Sequence, residues 1–141
     1  MAPFMTIDPP KVAVIEDDPS VRKALLRLLR SAGFTAEGFS SAEHFLRLRR
    51  RHHCLVLDVR LPGMSGIELH RALACGRNSP PVIFISGHTT RESVEIALPG
   101  QGVEFLDKPF DETLLLAAIR RALQRAGNAT TAHDRPAWRA P

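Results

Sequence analysis

Short apolar runs alternate five times with stretches whose apolar residues recur at helical spacing. Val12-Ala13-Val14-Ile15 is a continuous apolar run, the pattern of a strand buried on both faces. After it, Val21, Ala24, Leu25, Leu28, Leu29 and Ala32 fall at i, i+3, i+4, i+7, i+8 and i+11, one face of a helix. Asp18 is placed to cap that helix, with Pro19 in its first turn, and Gly33 to end it. A weaker strand follows from Phe34 to Phe39, and Ser40 with Glu43 reads as a capping box for a second helix. Cys54-Leu55-Val56-Leu57 predicts a third strand ending at Asp58. The turn Pro62-Gly63-Met64-Ser65-Gly66 comes next, with Ser65 and Glu68 a second box. Val82-Ile83-Phe84-Ile85 predicts the fourth strand, Thr89 with Glu92 a third box, and Val103 to Leu106 the fifth strand. Asp111 is placed to cap a last helix running to about Arg125.

Apolar strands separated by helices belong to a parallel sheet covered on both faces. The expected class is therefore α/β, a doubly wound five-stranded parallel sheet with helices on both faces. A closed eightfold barrel needs roughly 250 residues, and the chain has 141. The strand order 2-1-3-4-5 places the topological switch point between strands 1 and 3. Residues 1–10 read as an N-terminal extension and residues 11–125 as the folded domain. Residues 126–141, small, polar and proline-bearing, read as a disordered tail.

Composition changes this picture little. The net charge of +4 comes from 16 Arg and 3 Lys against 15 acidic residues, and the densest basic stretch is Arg47-Leu48-Arg49-Arg50-Arg51-His52-His53. Nucleic-acid modules add aromatic platforms or a DNA-reading pattern to such a cluster. This chain has no Tyr, and Trp138 falls in the expected tail, so the stretch reads as a solvated helix end. Cys54 and Cys75, in separate elements, make no disulfide framework. No apolar run approaches the ~20 residues of a membrane span, and no signal-peptide pattern opens the chain. The expectation is a cytoplasmic protein without membrane contact.

The placement of charge is more telling. The first strand runs into Glu16-Asp17-Asp18, the third ends in Asp58, the fourth in Ser86, and the fifth runs into Asp107-Lys108-Pro109. All lie at carboxyl ends of strands, the edge where open α/β sheets bind ligands. Capping alone explains Asp18 and Asp111, but it explains Asp58, which precedes a Pro-Gly turn, less well. Carboxylates crowded into one crevice repel, and a hard divalent cation such as Mg²⁺ relieves them. A lysine and a hydroxyl opposite suit a phosphoryl group, so the pattern predicts phosphoryl transfer with a carboxylate nucleophile.

Val14-Ile15-Glu16-Asp17-Asp18, Leu55-Val56-Leu57-Asp58-Val59-Arg60-Leu61-Pro62-Gly63-Met64-Ser65-Gly66, Ile85-Ser86-Gly87-His88 and Phe105-Leu106-Asp107-Lys108-Pro109-Phe110 resemble the receiver domain of bacterial two-component response regulators. The FixJ-type group is closest in wording, and the resemblance covers about residues 11–125. It implies a flavodoxin-like (CheY-like) fold and a phosphorelay switch that modifies itself without being a turnover enzyme. It implies Asp58 as the phosphoacceptor, served by a sensor histidine kinase or a phosphotransfer protein. Asp17, Asp58, Glu16 through water and the Arg60 backbone carbonyl would hold Mg²⁺. Lys108, before a cis Lys-Pro bond, would pair with a phosphoryl oxygen. Ser86 would donate its hydroxyl and move, Phe105 would be the coupled aromatic switch, and Arg60 and His88 would tune phosphoryl lifetime.

The acidic pair is Glu-Asp and the hydroxyl is Ser, where Asp-Asp and Thr are commoner in the resembling family. Leu98-Pro99-Gly100-Gln101-Gly102 interrupts the place where a regular fourth helix continues in that family, so a short or displaced fourth helix is expected. Leu114-Leu115-Leu116-Ala117-Ala118-Ile119 is apolar on every side. With Leu115, Ala118, Ile119 and Ala122 facing the sheet, Leu116 and Leu123 point outward together as candidate contact residues for a downstream protein target or a homodimer mate. The 16 residues after Arg125 are too few for a DNA-binding domain, so a stand-alone receiver acting through protein contacts is expected. Two other readings stay open: a haloacid-dehalogenase-like phosphatase, disfavoured by Glu16-Asp17-Asp18 in place of D-x-D, and a receiver-like adaptor that takes no phosphate.

Overall fold

Every strand from the first to the fourth is flanked by helices, and their packing explains the unbroken apolar runs. The computed structural model describes residues 8–48, 50–76, 79–87, 89, 91–99 and 104–129. In chain order the elements are β1 (Lys11–Ile15), α1 (Pro19–Ser31), β2 (Thr35–Phe39), α2 (Ala42–Leu48) and β3 (Cys54–Asp58). There follow α3 (Gly66–Ala74), β4 (Val82–Ser86), α4 (Arg91–Ala97), β5 (Glu104–Asp107) and α5 (Glu112–Ala129). The strands form one parallel sheet in the order β2-β1-β3-β4-β5. This is the expected architecture.

Alternate residues of each strand serve opposite layers of core. Ala13, Ile15, Leu55, Leu57 and Phe84 pack with Ala42 and Phe45 of α2, Leu69 of α3 and Val94 of α4. Val12, Val14, Val56, Ile83 and Ile85 pack with Leu25 and Leu29 of α1 and with Leu115, Ala118, Ile119 and Ala122 of α5. The strand period of two sends neighbours to opposite faces. Free Cys54 is buried in the second layer, and burial pushes its thiol pKa up, so it is an inert core residue.

Local signals set most helix ends. The Asp18 carboxylate accepts from Ser20 N and Val21 N, and Gly33 leaves α1 with φ 96°, a left-handed conformation that favours glycine. Ser65 and Glu68 form a reciprocal capping box at α3, and Asp111 Oδ1 accepts from Thr113 N at the start of α5. The box expected from Ser40 and Glu43 is not formed. Ser41 Oγ instead accepts from His44 N at 3.0 Å, while Glu43 turns to the loop after β3 and accepts from Met64 N at 2.7 Å. At α4 the helix begins at Arg91, which puts the capping place on residue 90, outside the described residues.

Several boundaries differ from expectation. β2 begins at Thr35, one residue past Phe34, and β5 begins at Glu104; Val103 lies outside the described residues. α4 is short, seven residues, as the proline predicts; residues 100–103 lie outside the described set. α5 continues to Ala129, past the boundary at Arg125, because no proline follows until Pro136; residues 130–141 lie outside the described residues, as do 1–7 of the N-terminal extension. Leu116 and Leu123 are half-buried against the α1–α5 core layer, and the outward-facing leucine of α5 is Leu114. No helix of the described residues is long and apolar enough to cross a membrane.

The basic stretch also differs from a solvated helix end. His52 is 6% exposed, its ring edge-on to Phe39 with centroids 5.7 Å apart and Nε2 2.9 Å from Glu37 Oε1. Arg50 pairs with the same carboxylate. Glu37 of β2 draws His52 in from the loop before β3 and pairs with Arg50, which stays exposed.

His70 of α3 is a buried histidine of a different kind. It is 8% exposed beneath Phe84, and Nδ1 meets no hydrogen-bond partner among the described residues. Burial, with Arg71 beside it, holds its pKa below the ordinary 6.5. The folded chain thus binds fewer protons here than the unfolded chain. Stability from this site is full above about pH 6.5 and declines as pH falls through that value toward the folded pKa. Burial lowers His52 and His53 likewise, with the same sign. Urea unfolding at pH 7.5 and 5.5 checks this: His70→Leu should flatten the pH slope, and an unchanged slope removes His70 from the account.

Candidate functional site

The carboxyl ends of β1, β3 and β5 bring three acids and one lysine together. Glu16 and Asp17 follow β1, Asp58 ends β3, and one oxygen from each lies within 4.8 Å of the others. Asp17 is exposed, whereas Glu16 and Asp58 are buried, 1% and 5% exposed. Lys108, just past β5, reaches over the strand ends and places Nζ 2.7 Å from Glu16 Oε1 and 3.2 Å from Asp58 Oδ2. These residues, with Arg60 and Pro62, line a cleft of about 640 Å³. The parallel register explains the convergence: Ile15 is level with Leu57 of β3, so the residues just past both strands share one edge.

Backbone N–H groups hold the carboxylates of Glu16 and Asp58 in place. Asp58 Oδ1 accepts from Arg60 N at 3.0 Å, and Glu16 Oε2 accepts from Asp18 N at 3.1 Å. Arg22, one turn into α1, donates Nη1 to the carbonyl oxygens of Glu16 at 2.8 Å and Asp17 at 3.4 Å. Its stem lies over Gly38 of β2, where a Cβ would stand 3.2 Å from Arg22 Cδ and 2.9 Å from Leu26 Cδ1. Arg22 did not stand out in the sequence, and Glu43 stood out only as a capping-box residue, not as the group that holds the loop after β3. The signal available for Arg22 was its place one turn after the acidic triplet, where a long side chain folds back on the loop.

Burial drives the electrostatics. It raises the Glu16 pKa to about 7, helped by the nearby Asp58 charge and opposed by Lys108 and the Asp18 N–H. Burial alone would lower Lys108, but its hydrogen bond to Glu16 and the Asp58 charge leave its pKa above the ordinary value. The ammonium is therefore charged, and its two contacts with carboxylate oxygens outweigh its partial desolvation. One cation facing three carboxylates leaves a site short of positive charge.

The remaining expected residues surround this cluster. Ser86 ends β4, 1% exposed, with Oγ accepting from Thr89 N at 2.9 Å and its carbonyl accepting from Lys108 N at 2.8 Å. Phe105 of β5 is 2% exposed, in register with Phe84 and packed into the α3–α4 core layer. Arg60 is exposed at the cleft mouth. The Lys108–Pro109 bond is cis, as expected. His88 lies outside the described residues. Leu116 and Leu123 sit on α5 in the other core layer and take no part in the cleft.

A match to the family described as the response regulator receiver domain spans residues 12–120. The chain is 44% identical over 117 residues to the response regulator protein TodT of Pseudomonas putida, covering 82% of this chain and 52% of TodT. It is 38% identical over 113 residues to the transcriptional regulatory protein FixJ of Rhizobium meliloti, covering 79% of this chain and 55% of FixJ. The chain thus spans about half the length of these curated relatives. The solved response regulator StyR superposes with a TM-score of 0.75 at 46% identity, covering 88% of this chain and 64% of StyR. The strand order, the acidic cleft and these matches agree: the chain belongs to the receiver domain family of two-component response regulators.

Proposed function

We propose that this receiver domain accepts a phosphoryl group on Asp58 from the phosphohistidine of a sensor histidine kinase or phosphotransfer protein. Mg²⁺ is its cofactor, and a downstream protein or a second copy of the chain reads the result. The carrying observation is that Asp58 Oδ2 stands 3.2 Å from Lys108 Nζ while Glu16 and Asp17 each offer an oxygen within 4.8 Å. The donors are all hard oxygens and the cleft has excess negative charge, which suits Mg²⁺. Asp17 and Asp58 would ligate it directly, Glu16 through water and Arg60 through its backbone carbonyl. Bound there, Mg²⁺ would supply charge stabilisation to the transferring phosphoryl oxygens.

The chain's own residues do the rest. An Asp58 oxygen attacks phosphorus in line, the Asp58 O–P bond forms as the donor P–N bond breaks, and the leaving imidazole takes a proton from solvent. A carboxylate is a weak nucleophile, so positioning and charge carry the rate. The backbone N–H of Arg60 holds one Asp58 oxygen, leaving the other toward the lysine. Lys108 pairs with a phosphoryl oxygen, and the Ser86 hydroxyl donates to another. Its displacement is coupled to the ring of Phe105 on the neighbouring strand. Arg60 and His88 set phosphoryl lifetime by governing how water reaches the group. The compartment that fits this exchange is the cytoplasm, where the kinase domain of such a donor would meet the receiver.

The test is intact-mass measurement after incubation with Mg²⁺ and acetyl phosphate. The expected result is one added phosphoryl group per chain, and none when EDTA removes the metal before the donor is added. No adduct selects an adaptor that does not take phosphate, and repeated hydrolysis of small phosphoesters selects a phosphatase.

A further inference from the structure

A phosphoryl group at Asp58 matters to a partner only if some surface elsewhere changes, and one arginine joins the two places. The Ser86 hydroxyl accepts from Thr89 N at 2.9 Å, so it is bonded to the backbone that leads toward α4. Among its seven residues α4 fully buries Val94 alone, with Leu98 buried just past its end. So short a helix is not stable by itself, and its position depends on what grips its ends. At the C-terminal end Arg71 of α3 donates Nη2 to Ala97 O at 2.9 Å. At the N-terminal end Arg91 donates Nη2 to Phe105 O at 2.8 Å, and its Cζ stands 5.8 Å from the Phe105 ring centroid.

β5 is an edge strand that pairs with β4 only. Edge strands leave carbonyls that no neighbouring strand takes, and Arg91 takes the one on Phe105. A guanidinium suits both contacts, because it has a fork of donors and a planar cationic face. The same side chain therefore holds the strand, the buried ring and the first turn of the helix.

We propose that Arg91 is a positioning residue that couples Ser86 to the α4–β5 face. By tying the first turn of α4 to the edge of β5 and to the Phe105 ring, it delivers a displacement of Ser86 to helix and strand together. This rests on the reading that Asp58 takes a phosphoryl group. Arg91 does not line the acidic cleft, so replacing it leaves the Asp58 chemistry in place while α4 and β5 respond separately.

Hydrogen–deuterium exchange of the segment 91–98, read by mass spectrometry on the full chain, tests this. The probe is Mg²⁺ with beryllofluoride, a phosphoryl mimic. In the wild type the probe should change exchange in this segment. In Arg91→Met the probe-induced change should be about fivefold smaller, the size of an ordinary coupling between sites, with affinity for the probe retained. Arg91→Lys, which keeps the charge without the fork, should fall between. If Arg91 is only an anchor, exchange rises in both states and the probe-induced difference is unchanged, which overturns the coupling alone. Failure of the wild type to bind the probe overturns the Asp58 reading and the coupling with it, whereas binding without a response in 91–98 overturns the coupling alone.

Discussion

Asp58→Asn should abolish the phosphoryl adduct while leaving the domain folded. The amide oxygen of Asn carries no full charge and forms no stable acyl phosphate, so acceptance from acetyl phosphate should fall by roughly 10³-fold or more. Folding should survive for an electrostatic reason. The cleft sets Glu16, Asp17 and Asp58 against a single Lys108, so neutralising one acid reduces repulsion. The Asn oxygen can still accept from Arg60 N, which Asp58 Oδ1 does at 3.0 Å. Stability should therefore stay within about 1 kcal/mol of the wild type or rise, since the buried Glu16–Lys108 pair keeps its partner. Intact mass and a thermal melt on one sample check both halves. An adduct of full extent on the variant would place the acceptor on another carboxylate, with Asp17 the first to examine.

Gly66→Ala should cost more stability than any cap or surface change. Gly66 is the first residue of α3, and its N–H donates to Val59 O at 2.9 Å. A Cβ at that position would stand 2.2 Å from the Asp58 carbonyl oxygen, 3.0 Å from the Asp58 carbonyl carbon and 3.0 Å from Val59 Cα. All three are backbone atoms at the end of a central strand, so no flexible side chain moves aside. Overpacking of this kind costs typically ~1–3 kcal/mol, and the upper end is expected here. That amounts to a fall in Tm on the order of 10 °C. Acceptance should fall as well, because relief of the clash moves Asp58 relative to Lys108, and misplacement of about 1 Å can cost roughly 10²-fold. Urea unfolding and the acetyl phosphate assay measure the two effects. A loss under about 0.5 kcal/mol would mean the α3 start moves freely from β3.

The site was legible because its residues sit at predictable strand ends. Once strands 1, 3, 4 and 5 are read as apolar runs in a parallel sheet, Glu16, Asp17, Asp58, Ser86 and Lys108 are bound to share one edge. The supports of that site were not legible. Arg22 grips the carbonyls of Glu16 and Asp17, and Glu43 grips Met64 across 21 residues of sequence. A capping box at Ser40 and Glu43 was a sound local reading, but Ser41 sat closer to the helix start and the Met64 N–H offered Glu43 a partner from another element.

The pattern along the chain determined the α/β class, the strand order, most helix caps and the edge on which the acids gather. The class and the caps follow from short-range rules: a period of two or 3.6, a cap within three residues, a turn at glycine or proline. The strand order follows from the topology that five βα units favour. The tertiary structure alone decided that His52 goes inside on Glu37, that Leu114 rather than Leu116 faces outward, and that Arg91 reaches Phe105. Those outcomes depend on distances between side chains from separate elements and on the rotation of each helix about its axis. An arginine or histidine has several partners within reach of its sequence neighbourhood, and only the packed sheet and helices select one.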